Sequence, residues 1–196
     1  MRKHVPAALL LLVAGLFQLP AVAEDNKEPD KNVHYMGLLI GTGGVAGGSS
    51  LSIDLYVDAF TSNEDVLKLL NILNEKGQDG LANELEKRDT GRIVAPMGPT
   101  NPGGNVNIAV ARKFESETGS VIRLFTARPM SFLERNVGGR SLEHPFGLIE
   151  LQLDRDGNGQ GAVIVAAKVK ITKEGRLELE SLGGQYIKLT NVRRVN

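Results

Sequence analysis

Asp154-Arg155-Asp156-Gly157-Asn158-Gly159 comes nearest to a metal-ligand set in this chain. Oxygen-bearing side chains at alternate positions, followed by glycine, form the first half of an EF-hand calcium loop. The twelfth position of such a loop should carry a bidentate glutamate, and here it is Val165. The flanking residues alternate apolar and polar, the pattern of strands rather than helices. The stretch therefore reads as a β-hairpin tip between a strand ending at Leu153 and one beginning near Ala162. Asp154, Asp156 and Asn158 would then serve a tight reversal, with calcium bound by these three as the alternative.

A second constellation is spread over Thr126 to Phe146. Arg128, Glu134, Arg140 and His144 fall where a strand end passes into a long connection, a place where ligand-binding side chains often sit. They are the candidate binding residues. An Arg–Glu pair anchoring the connection to the sheet is the simpler use of the same charges. Gly41-Thr42-Gly43-Gly44-Val45-Ala46 fits the loose dinucleotide fingerprint. That motif needs a helix next, to receive the phosphate, and here Gly47-Gly48-Ser49-Ser50 and a strand pattern follow. No nucleotide cofactor is therefore expected. Beyond the first two dozen residues the only histidines are His34 and His144, and there is no HExxH cluster or GxSxG elbow. Ser141 lies close to His144 in sequence, but nothing else suggests a nucleophile with its base. The chain has no cysteine, which excludes disulfides, thiol catalysis and cysteine–zinc sites.

These residues must be positioned by a mainly β framework. Val33–Ile40 is short and apolar; Leu51, Ile53, Leu55 and Val57 alternate with polar residues. Further strands are expected at Arg92–Ala95, Val106–Val110, Val121–Thr126, Ile149–Leu153, Val163–Ile171 and in the last twenty residues. Between them, Thr61-x-x-Glu64 reads as a capping box opening a helix with Val66, Leu69, Leu70 and Leu73 on one face. Gly77 should end that helix and Asp79 start another, closing at Gly91, which makes an αα-hairpin. The expected class is α+β: a curved antiparallel sheet or open barrel of about seven or eight strands with one helical hairpin. A DNA-reading use of the helix pair is disfavoured by the charge balance.

The first residues give an address. Arg2 and Lys3 precede a short apolar run, and Ala21-Val22-Ala23 has the small-x-small form of a cleavage site, so residues 1–23 read as a signal peptide. Cleavage near Ala23 would leave 173 residues carrying 21 basic and 23 acidic side chains. A balance so near neutral has no footprint for nucleic acid or anionic lipid. No later run is long enough for a transmembrane helix. Residues 24–32 are polar and aperiodic, the pattern of a disordered leader, and 33–196 would form one domain. The expected location is periplasmic or secreted.

Several segments are familiar together: Gly41–Ser50, Gly77–Leu81, Thr126–Pro129, Phe132–Glu134, His144-Pro145-Phe146, Asp156–Gly161 and Leu189–Arg193. The chain resembles a family of uncharacterised exported bacterial proteins, over nearly all of the region after the signal. The resemblance implies export and a single domain, and carries no catalytic residue across. The expectation for function is a non-enzymatic exported binding or interaction domain with an envelope or extracellular partner. A hydrolase built from the loop residues is the alternative.

Overall fold

The computed structural model describes residues 30–40, 50–98, 103–130, 133, 143–171, 177–181 and 186–196. Ten strands and one helix follow in chain order. They are β1 (Val33–Ile40), β2 (Ser50–Val57), α1 (Asn63–Leu85), β3 (Gly91–Ala95), β4 (Gly104–Ile108) and β5 (Val110–Ser116). Then come β6 (Gly119–Thr126), β7 (Phe146–Asp154), β8 (Asn158–Ile171), β9 (Leu177–Ser181) and β10 (Ile187–Arg194). All pairings are antiparallel, in the order β4-β3-β2-β1-β10-β8-β7-β6-β5, with β9 also on β8.

The two ends of that order, β4 and β5, are separated along the chain by Ala109 alone. They form one bent strand that pairs first with β3 and then with β6. At the change of partner, the Ala109 N–H donates to the Phe125 carbonyl at 2.8 Å. Ile108 and Ala111 belong to the inner core, while Ala109 and Val110 both join the outer layer. One extra residue at the switch is what lets the strand bend, as at a β-bulge. The sheet thus curls into a nearly closed barrel.

Strand alternation divides the apolar residues into two layers. Tyr35, Leu55, Ile93, Ile122, Leu124, Ile149, Leu151, Val163 and Leu189 point inward and fill the barrel. Phe125, Phe146, Leu148 and Ile164 point outward and meet Leu69, Leu73, Leu81 and Leu85 of α1. Each fully buried leucine in that second layer stabilises the fold by about 1.5–3 kcal/mol relative to exposure.

Four expectations are corrected. The strand count among the described residues is ten, above seven or eight, in part because β5 carries Arg112, Lys113 and Glu115 and so lacks an apolar alternation. A hairpin of two helices is not shown: the helical runs expected on either side of Gly77 are present, but they join as one kinked element, α1, with Gly77 itself non-helical at a left-handed φ of 66°. That backbone suits glycine. The kink brings Gln78 against the sheet, where its Oε1 accepts from the Val169 N–H at 3.1 Å and its Nε2 donates to the Glu143 carbonyl at 3.2 Å. Gly91 opens β3 rather than closing a helix. The cap is also displaced by one residue: Ser62 is the N-cap, its Oγ accepting from the Asp65 N–H at 3.1 Å. Thr61 is instead tied to β5, where its hydroxyl accepts from the Ala111 N–H. The Ser62 hydroxyl holds the Asp65 carboxyl below its ordinary range against the opposing effect of burial, with lesser help from Arg88 and Lys68.

Among the described residues no helix is long and apolar enough to cross a membrane. The expected signal peptide over 1–23 and the glycine loop over 41–49 lie outside the described residues.

Candidate functional site

Inward positions change character as the strands reach one end of the barrel. On β5 the series Ala111, Lys113, Glu115 passes from apolar to charged; on β10 Val192 is followed at the next inward position by Arg194. The result is a polar basin of about 270 Å³ over the filled core. Tyr35 and Leu153 lie at its base, and Ser116, Gly119 and Ser120 come from the β5–β6 hairpin. The β7–β8 turn supplies Asp154, Arg155, Asp156 and Gly157, and Asp30 and Arg194 complete the wall.

The cations that β5 and β10 turn into the basin are paired. Lys113 Nζ lies 3.0 Å from Asp30 Oδ2 and 2.6 Å from Glu115 Oε1. Arg194 Nη1 lies 3.3 Å from the same Asp30 oxygen. Burial alone would lower the Lys113 pKa, but hydrogen bonds to Glu115 and Asp30 outweigh it and raise the value above the ordinary 10.5. Lys113 is therefore an ammonium and not a base at neutral pH. Burial likewise raises the Tyr35 phenol above its ordinary 10.0, against the opposing pull of Arg194 and Lys113. The Ser116 hydroxyl donates to the Gly119 carbonyl at 3.0 Å. No histidine is among the described lining residues. Such an arrangement can hold a small polar solute; it has no activated nucleophile among those residues.

The turn beneath the basin is tighter than expected. β8 begins at Asn158 instead of near Ala162, and Gly159 lies within the strand, paired with Leu153. A Cβ at Gly159 would come within 1.9 Å of the Gln152 carbonyl oxygen, so the pair of strands crosses too closely for a side chain there. Asp154 Oδ1 accepts from the Asp156 and Asn158 N–H groups at 2.9 and 2.8 Å. Gly157 takes the left-handed φ of 81°. Asp154 thus spends its carboxylate on the backbone, as in an Asx turn. Among the described residues no group of three or more metal-ligating side chains is assembled. We expect the unfolding midpoint to be the same in millimolar calcium and in excess chelator. Asp154→Ala should cost about 1 kcal/mol through the lost turn hydrogen bonds, equally in both. A calcium-dependent rise of several degrees, abolished by Asp154→Ala, would identify a metal site instead.

Of the loop candidates, Arg128 and His144 fall at the other end of the barrel, beyond the paired Thr126 and Gly147. Arg128 is exposed and its guanidinium lies 3.1 Å from Glu86, so it joins the end of α1 to the loop. His144 is buried. Glu134 and Arg140, like Ser141, lie outside the described residues. His34, by contrast, is on the outer face of β1, with Nε2 2.8 Å from Asp54 Oδ1 and its ring stacked on Tyr56. Arg92 covers that tyrosine, 4.8 Å from the ring centre. Sequence reasoning missed the basin residues Asp30, Tyr35, Lys113, Glu115 and Arg194; they share no local motif and meet only through strand register.

Comparison with known protein families, with curated proteins and with solved structures found no match.

Proposed function

We propose that the protein is a non-enzymatic, exported binding domain that holds a small polar solute in the basin at the mouth of its barrel. The observation that carries this reading is the change of inward residues from apolar to charged above a filled core, which makes a concave polar surface on a rigid frame. Export is supported by the n-region, apolar run and small-x-small site of residues 1–23. The resemblance to uncharacterised exported bacterial proteins points the same way.

The test is an amide NMR titration of the chain after Ala23 against monosaccharides, amino acids and small carboxylic acids. Saturable shifts should cluster at Tyr35, Ser116, Ser120 and Gly157 and be lost in Ser120→Trp, which fills the basin. Absence of shifts there with every solute rejects the reading. So does robust turnover of esterase, glycosidase, phosphatase or peptidase substrates that survives repurification, which would favour the loop-built hydrolase. Mass measurement of the protein from intact cells tests export: the expected mass corresponds to cleavage near Ala23.

A further inference from the structure

Among the described residues Asp30 is the one basin residue that comes from before β1, and it holds both inward-facing cations at once. Its Oδ2 accepts from Lys113 Nζ at 3.0 Å and from Arg194 Nη1 at 3.3 Å. These partners are 83 and 164 residues away in sequence. An extended backbone at Asn32 would run straight on from β1. Asn32 prevents this with a left-handed φ of 56°, a conformation that asparagine tolerates better than most residues. Its N–H donates to the Asp58 carbonyl at 3.2 Å, and its own carbonyl accepts from Asn196 Nδ2 at 3.4 Å. The reversal is therefore fastened at Asn32, and Asp30 is delivered across the basin.

We infer that Lys113 and Arg194 form a subsite for a small carboxylate ligand, and that Asp30 occupies it in cis as a built-in competitor. The inference rests on the basin being the binding surface. Two cations of different geometry, one a compact ammonium and the other a planar guanidinium, converge on a single oxygen. A carboxylate is the group that matches both. Its second oxygen would face the basin floor near Tyr35. Glu115 offsets part of the Lys113 charge and disfavours a dianion such as phosphate at the same place. An incoming carboxylate must displace Asp30, so its apparent affinity is reduced by the fraction of chains in which Asp30 is seated. Covalent tethering gives Asp30 a high effective concentration and makes it an effective block even though each contact is weak.

The experiment is an acetate titration by amide NMR at constant ionic strength, with chloride, inorganic phosphate and glucose in parallel. Asp30→Asn removes the competing charge and should tighten acetate binding at least tenfold. Arg194→Met in that background should reverse the gain. Phosphate should show no comparable gain. Equal acetate affinity with and without Asp30→Asn overturns the inference. Glucose binding at the basin in both forms would then leave the binding reading standing, whereas failure of every solute would remove both. A second measurement does not depend on the variant. In the unaltered chain the side-chain carboxyl ¹³C resonance of Asp30 should move on saturation with acetate and not with chloride. A resonance that stays in place also overturns the inference.

Discussion

Phe125→Ala is expected to lower the stability of the fold by about 3–5 kcal/mol, among the largest effects available to a single substitution here. Phe125 is fully buried between the barrel wall and α1, with its ring 4.9 Å from that of Phe146. It belongs to the outer apolar layer that also holds Leu69, Leu73, Leu81 and Leu85. Removing it leaves a cavity in the layer where the helix packs on the sheet, and the neighbouring leucines can collapse into it only by moving α1. For a domain of this size the loss corresponds to a fall in unfolding midpoint of about 6–20 °C. Leu67→Ala, on the exposed side of the same helix, should change stability by no more than about 0.5 kcal/mol. Similar losses for the two variants would mean that α1 does not rest on the barrel as described.

Arg112→Met should cost about 2–3 kcal/mol and act mainly on the start of the helix. Arg112 is buried, donates through Nη1 to the Thr61 carbonyl at 2.7 Å and through Nη2 to Asn63 Oδ1 at 2.6 Å. Its guanidinium also lies 5.5 Å from the Phe114 ring centre. Hydrogen bonds from a charged donor contribute about 1.5–3 kcal/mol each; methionine keeps much of the packing and none of these bonds. The net gain of the wild-type residue is lowered by desolvation, which also depresses the Arg112 pKa, and its Nε finds no partner among the described residues. Hydrogen exchange should therefore accelerate at Val66 to Leu70 more than in β7 or β8. Arg128→Met, which breaks an exposed pair with Glu86, should leave stability within about 0.5 kcal/mol. Uniform acceleration across the barrel would show that Arg112 supports the sheet and not the helix entry.

Much of the sheet was legible because alternation is a local signal. Val33–Ile40 is a strand over the expected residues, and β2, β3 and β8 contain the stretches assigned to them. β5 was hidden because its inward positions beyond Ala111 point into a polar basin, so the apolar period stops while the strand continues. The same cause hid the site. Lys113, Arg194 and Asp30 become neighbours only after β1 pairs with β10 and β5 joins the ring, and no spacing along the chain encodes that. The displaced cap had a different origin. Thr61 and Ser62 are both acceptable N-caps, and the choice is made by the Ala111 N–H of β5, fifty residues on in sequence, which donates to the threonine hydroxyl. The Asp154 turn was recognised from its residue types, but its length was overestimated because Asn158-Gly159 can mark a reversal or, as here, a close crossing of strands.

The pairing of β1 with β10 also sets a timetable. Residues 33–40 find one of their two strand neighbours in residues 188–194, so the first strand stays paired on one side only until those residues are in place. Until then β1 and β8 each present an unpaired edge, and the core on that side stands open to water. Contacts so distant in sequence fold slowly, on the millisecond-to-second scale, because loop closure must precede their reward. The order of events is thereby constrained: the β5–β6–β7–β8 meander, whose partners are neighbours along the chain, can assemble early, and the ring is completed last by its C-terminal strand. A chain released without that strand would keep the meander and lose the barrel, exposing two edges able to pair with other chains.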